Sequence, residues 1–494
     1  MATTEATPVN VIDKGLKANA LGYMSNIVIG VASTAPAYSL AATLGFIVAI
    51  KGVGLHAPAV LIVSFVPIFL VSLGYKYLNR ADPDCGTTFA WTTRAFGPYF
   101  GWINGWAIFV ADVIVMASLS VIAAQYTYLL VGWKSAQNST VGILVAAVIW
   151  IAIMTWICYR GIELSAETQL FLLGAEVVIL AIFAVVALVK VYTVSPAGAL
   201  HVSWSWFNPF AMGFGALADG VLLGIFIYWG WDSGVAVNEE SENAAEGPGQ
   251  AAVISTLILV LIYVIVSTAS QAYGGTAVLI NNSNDVLSVL GTHVFGSPWD
   301  KLLIIAVLTS AAASTQTTIL PTARTTLSMA RWGALPEIFG RIHPRYLTPT
   351  FSTLGMGALS IVWTVVLVAF NSSQDVLGDS ITALGFSVCF YYGFTGLACA
   401  WYFRKQLRTS PKAFFLAGLL PLAGCVMMFY VFGKAFHDYS LTGAGYAKPL
   451  FGIQIPIVIG IGTLLLGLPL MLIAALKFRA YFRRRPEVAP EGLL

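Results

Sequence analysis

The sequence predicts an all-α integral membrane protein of about 12 transmembrane helices, and three observations carry that reading. Of its 494 residues, 58% are hydrophobic and only 10% charged, where soluble globular chains carry roughly 25% charged. Apolar runs of about 20 residues, the length that crosses a bilayer, recur about twelve times. With the N-terminus inside, 19 of the 25 Lys and Arg residues fall on the cytoplasmic side and 6 outside. That is the bias that orients membrane proteins, so both termini are expected in the cytoplasm, beneath the cell membrane.

In chain order, residues 1–20 are polar (Thr3, Thr4, Glu5, Asn10, Asp13, Lys14, Lys17) and contain no apolar run of the signal-peptide kind. The spans are expected near Leu21–Ile50, Ala57–Leu78, Tyr99–Val131, Val141–Cys158, Gln169–Tyr192, Phe210–Trp231, Ala251–Tyr273, Leu302–Ala330, Thr350–Phe370, Ile381–Phe403, Ala413–Phe432 and Ile455–Phe478. Asn284–Trp299 reads as an external loop, Arg331–Arg345 as a charged amphipathic segment inside, and the tail beyond Arg485 as disordered. The triplets at Asn138, Asn281 and Asn371 fall outside. Gly97, Gly101 and Gly105 have the small-xxx-small spacing of close helix contact.

The five cysteines and five histidines are scattered without metal-ligand spacing, so neither a metal nor a cofactor is expected. No H-E-x-x-H, G-x-S-x-G or P-loop occurs, which argues against a membrane enzyme or an ATP-driven pump. Selectivity-loop repeats of a channel are also missing.

Two spans are interrupted. In Asn26–Ser39, Pro36 cannot donate a backbone hydrogen bond and disfavours helix at Ala35. The helix is expected to stop near Ala32 and restart after Thr34, with Thr34 as N-cap. Free amides at the restart suit a carboxylate. In the sixth span the apolar run turns polar at Gly230, Asp232, Ser233 and Gly234, then acidic through Glu239, Glu240, Glu242 and Glu246. Polar breaks in corresponding spans of two halves mark the central site of a secondary transporter.

Tyr228-Trp-Gly-Trp-Asp-Ser-Gly-Val-Ala-Val-Asn-Glu-Glu240 resembles the sixth helix of amino acid–polyamine–organocation (APC) permeases. Pro83–Trp91 with Phe96–Trp106, Arg160–Ala166 and Arg324–Pro336 resemble other junctions of that superfamily, in the same order. The resemblance implies a leucine-transporter-like fold working by alternating access. Its parts would be a cytoplasmic segment (1–20), a first inverted five-helix repeat (21–200) and a second (201–405). Helices 11–12 (406–480) and a cytoplasmic tail (481–494) would follow. The first break departs from the family's glycine-rich pattern, because Ala32-Ser-Thr-Ala-Pro36 stands there.

The substrate site is therefore expected at Ser33, Thr34, Ala35, Gly230 and Asp232, with Tyr228, Trp229 and Trp231 as an aromatic lid. Asp112, in the third span, could meet a substrate ammonium or be a packing acid bonded to a hydroxyl. Asp232 reads more readily as the cap of the second half-helix than as a ligand. Asp219 reads as a gate or interface residue. Glu176 lies mid-span with no basic residue at its depth, where a lone charge is costly. Similarity to proton-coupled relatives suggests that it serves as a proton carrier opposite Ser314 and Thr315 in the Ser310–Thr318 run; a plain structural bond to those hydroxyls is the alternative. The acidic run reads as a solvated loop, or else as partner to Arg80, Arg94 or Arg324. The expected function is import of an amino acid or related small amine, coupled to protons rather than sodium. A polyamine or organic-cation permease, or an amino acid exchanger, is the alternative.

Overall fold

A computed structural model describes residues 13–370, 373–441 and 448–494; the polar residues expected at 1–12, and the Asn371 triplet, lie outside them. Among the described residues the architecture is helical, with only isolated bridges. Among the described residues, twelve helices are long and apolar enough to cross a membrane. They are Tyr23–Ala49, Gly54–Ala81, Pro98–Val131, Thr140–Arg160, Ile162–Thr193, Phe214–Ala236, Gly247–Asn281, Lys301–Arg331, Thr350–Ala369, Gly378–Tyr402, Pro411–Ser440 and Ile455–Lys477. Each overlaps its expected counterpart. The chain is an all-α, multi-pass membrane protein.

Burial sorts the spans. The most apolar stretch of the first span is 100% buried and that of the twelfth 28%, so the first lies at the centre and the twelfth faces outward. A span can be apolar on every side because lipid accepts the outer faces. The centre is instead rich in small and hydroxyl residues: Ser310, Ser314, Thr315, Thr317 and Thr318 of the eighth span are all buried. Close approach follows from glycine. A Cβ on Gly101 would lie 1.7 Å from Thr93 Oγ1, and one on Gly105 2.9 Å from Met329 Sδ. Gly97 has a different reason to be glycine, a φ of +99° where the helix Thr88–Phe96 ends.

Three expectations need correction. Asn284–Trp299 is no plain loop, because it holds the helix Val286–Phe295, N-capped by Asp285 on the Ser288 amide. The tail beyond Arg485 is docked. The Glu487 amide donates to Arg94 O (2.6 Å), the Ala489 amide donates to Tyr402 O (3.0 Å), and Leu493 is buried. Thr34 does not cap the restarted helix; its hydroxyl turns back to Val31 O (2.7 Å) and ends the first half.

Candidate site where the two broken helices cross

The first span consists of helices Tyr23–Ser33 and Pro36–Ala49. Between them Ala35 adopts φ +48°, a left-handed conformation that costs an alanine about 1–2 kcal/mol. The sixth span consists of Phe214–Tyr228 and the single turn Ser233–Ala236, with Gly230 at φ +117°. The breaks meet. Ser33 Oγ lies 2.8 Å from Ser233 Oγ, and Ser314 donates to the Ser33 carbonyl (2.8 Å). A Cβ on Gly230 would stand 2.8 Å from the Ser33 carbonyl carbon and oxygen. Only glycine lets the two backbones touch there.

The restarted helix has its free amides, but the protein's own groups take them. Ala37 N–H donates to Glu176 Oε1 (2.6 Å), and Tyr38 N–H to Ser310 Oγ (3.1 Å). Ser310 in turn donates to the same Glu176 oxygen (2.8 Å), while Glu176 Oε2 is buried with no partner. Glu176 thus ties the fifth span to the first and eighth. The hydroxyl opposite it is Ser310 and not Ser314 or Thr315, since Thr315 donates to Ala311 O within its own helix (2.8 Å).

Asp232 does not cap the following turn through its side chain. Its carboxylate accepts from the hydroxyls of Tyr392 (2.8 Å), Tyr391 (3.2 Å) and Tyr75 (3.4 Å). The two tyrosines of the tenth span were not singled out in the sequence, and the adjacent pair Tyr391-Tyr392 within a span was the available signal. Trp231 packs edge-on against Tyr75 (4.8 Å between centroids), and its indole N–H is buried without a partner. Trp229 donates to Tyr391 Oη (2.5 Å). Tyr228 instead anchors the sixth span to the second through Leu61 O (3.1 Å) and leans on Tyr263, a packing role. Asp112 is buried and accepts from Thr322.

At the end of the bundle that holds both described termini, Glu239, Glu240 and Glu246 of the acidic run are ion-paired, as the alternative with Arg80 and Arg324 expected, while Glu242 is exposed. Glu240 receives Arg324 through Nε (2.5 Å) and Nη2 (2.9 Å), with both side chains buried. Glu239 and Asp84 hold the Lys14 ammonium, 3.0 Å from Asp84. Arg80 meets Glu246 (2.7 Å), whereas Arg94 pairs with Asp82 (2.5 Å) and Glu487 (2.8 Å). Asp84, Cys85 and Glu239 place their ligand atoms within 4.8 Å of one another, a grouping the sequence spacing did not reveal. Lys14 supplies the cation there. Burial raises Glu239 to about 7 against the pull of Lys14. Burial also pushes Asp84 upward, but Lys14, Ser328 and the Gly86 amide together hold it below its ordinary value. At the opposite end, Asp219 pairs with Lys434 (2.7 Å) beside Asp438.

Residues 21–442 match the family model described as amino acid permease. The chain is 23% identical to the branched-chain amino acid permease BcaP of Bacillus subtilis, over 75% of this chain and 78% of that protein. It is 20% identical to the low-affinity putrescine importer PlaP of Escherichia coli, over 75% and 79%. It is 24% identical to human Asc-type amino acid transporter 1, over 69% and 67%.

Proposed function

We propose that this chain, which belongs to the amino acid permease family and is a transporter of amino acids or amines rather than an enzyme, imports its substrate across the cell membrane by alternating access driven by protons. In this reading both termini are cytoplasmic. The ion pairs around Glu239 and Glu240 then close the inner side.

The observation that carries the reading is Asp232, half-buried at the crossing of the two breaks and held by three tyrosine hydroxyls. Those hydroxyls orient a carboxylate without neutralising it, and the arrangement suits a substrate ammonium. The unpartnered Trp231 indole N–H offers a donor to a second polar group of the substrate. A substrate carboxylate finds the first-span amides already engaged by Glu176 and Ser310, so amine recognition is the stronger half of the site. Glu176, with one buried oxygen free, serves as the proton carrier linking the first, fifth and eighth spans.

A polyamine or other organic cation is the second reading. It is favoured by a second buried carboxylate, Asp112, which with Asp232 gives two carboxylates for a dication, and one relative named above is a putrescine importer.

Uptake into proteoliposomes of a panel of amino acids and diamines, under separately imposed proton and sodium gradients, tests both. Amino acid accumulation with a proton gradient alone is expected. Accumulation driven only by sodium, or only by counter-substrate inside, would overturn the coupling, and uptake of diamines alone would establish the second reading.

A further inference from the structure

The family match ends at residue 442, yet the twelfth span and the segment after it form a feature of their own. Between the third span and the basic ends of the eighth and twelfth spans lies an apolar groove of about 310 Å³. Trp106, Phe109, Met329, Leu335, Leu470 and Phe478 line it, and Lys477 is its one charged lining residue. Immediately beyond, Arg479, Arg483 and Arg485 are exposed, and no ion pair is found for them or for Lys477 among the described residues. Arg484 lies over the Trp332 ring at 4.8 Å, which places this basic run against the end of the eighth span. The span ends at Lys477, so the groove lies at hydrocarbon depth and the cations at headgroup depth.

We infer that this groove is a binding site for an anionic phospholipid from the surrounding bilayer. Its acyl chain would lie against Trp106 and Leu470, and its phosphate would meet Lys477, Arg479 and Arg483. Apolar walls below unpaired basic side chains complement both halves of such a lipid, and a zwitterionic lipid lacks the net charge to exploit the upper half. The inference does not depend on which substrate is carried.

The test uses the full chain released from nanodiscs of equimolar phosphatidylglycerol and phosphatidylcholine, with retained lipid counted by native mass spectrometry. The expected result is a phosphatidylglycerol preference on the order of tenfold, as several basic groups at a membrane surface would give. Combined Lys477→Gln, Arg479→Gln and Arg483→Gln should abolish the preference. Leu470→Trp, which fills the groove and keeps the charges, should lose retention of both lipids. Equal retention by the wild-type chain overturns the proposal without any variant. So does a preference that survives either change, or displacement of the lipid by equimolar inorganic phosphate. Wild-type melting in phosphatidylcholine alone confirms that each variant is folded.

Discussion

Glu176 Oε1 accepts the Ala37 amide hydrogen across 2.6 Å, so a side chain of the fifth span closes the amino end of the restarted first-span helix. The same oxygen takes the Ser310 hydroxyl, and the other oxygen takes nothing. Glu176→Gln keeps the carbonyl acceptor and removes only the titrating group. It should melt within a few degrees of wild type and retain counterflow exchange, while losing proton-driven accumulation. Glu176→Ala strands a buried amide and hydroxyl and should cost about 1–3 kcal/mol for each. Full pH-driven accumulation by the Gln variant, in the proteoliposome assay, would remove Glu176 from the coupling step.

The Asp232 carboxylate and the Tyr392 hydroxyl, 2.8 Å apart, separate charge from orientation. Asp232→Asn should lower uptake of an amine substrate by roughly 10–100-fold, the worth of one charged hydrogen bond. Tyr392→Phe leaves the charge and two other hydroxyls in place, so its loss should be smaller and lie in apparent affinity. Binding measured by scintillation proximity distinguishes the two. Equal losses would mean that the cluster is a packing unit.

Glu240 and Arg324 form a fork-like pair with both side chains buried. Removing one partner leaves an uncompensated buried charge, at a cost of about 3–5 kcal/mol. Glu240→Gln is therefore expected to lower the melting temperature more than Glu246→Gln, whose Arg80 partner is partly exposed. If this end is the inner gate, the variant should also expose Cys85, now buried beside the pair, to a membrane-permeant maleimide. Unchanged melting would show the pair to be expendable.

Glu239 gives a pH dependence with a definite sign. Its folded value is about 7 against an ordinary 4.5, so between those values the folded chain binds the extra proton. Stability from this group is therefore greatest below about pH 4.5 and declines as pH rises toward 7. Lys14, Asp84 and Cys85 face the carboxyl, and Lys14 keeps its charge throughout, raised by Asp84 and Glu239 against its burial. In melting curves from pH 5 to 7.5, Glu239→Gln should show a shallower decline than wild type. Parallel curves would mean that Glu239 stays ionised across the range.

Spans were legible in the sequence because twenty apolar residues have few alternatives in water or lipid, and both breaks were legible because proline and glycine announce them. Partnerships were harder to read. Asp232 looked like a cap since Ser233 and a half-helix follow it, and its true partners lie 159 and 160 residues away, at Tyr391 and Tyr392. Glu176 was found from its depth and from the similarity to proton-coupled relatives, but which hydroxyl it meets depends on the helical phase of the Ser310–Thr318 run against the fifth span. The acidic run left a solvated loop and ion pairs both open, because charge density reads as solvent exposure until Lys14, Arg80 and Arg324 arrive from elsewhere in the chain. The docked tail shows the same limit: Glu487 has no local reason to be ordered, and finds it in Arg94.

Gly230 is the position where backbone and packing make one demand. Its φ of +117° lies outside what a side chain tolerates, and a Cβ there would meet the Ser33 carbonyl at 2.8 Å. The neighbour is backbone and cannot swing aside, so Gly230→Ala must either separate the two breaks or distort Ser33 and its bond to Ser233. Strain and overpacking together should cost about 2–5 kcal/mol. Gly174, in the fifth span, has open space where a Cβ would go, and there alanine should be neutral or slightly stabilising. Ala35→Gly supplies the complement, relieving a left-handed alanine in the facing helix break of the same crossing. If Gly230→Ala melts and binds substrate like Gly174→Ala, the two breaks do not touch in the working protein, and the site built on their contact falls with them.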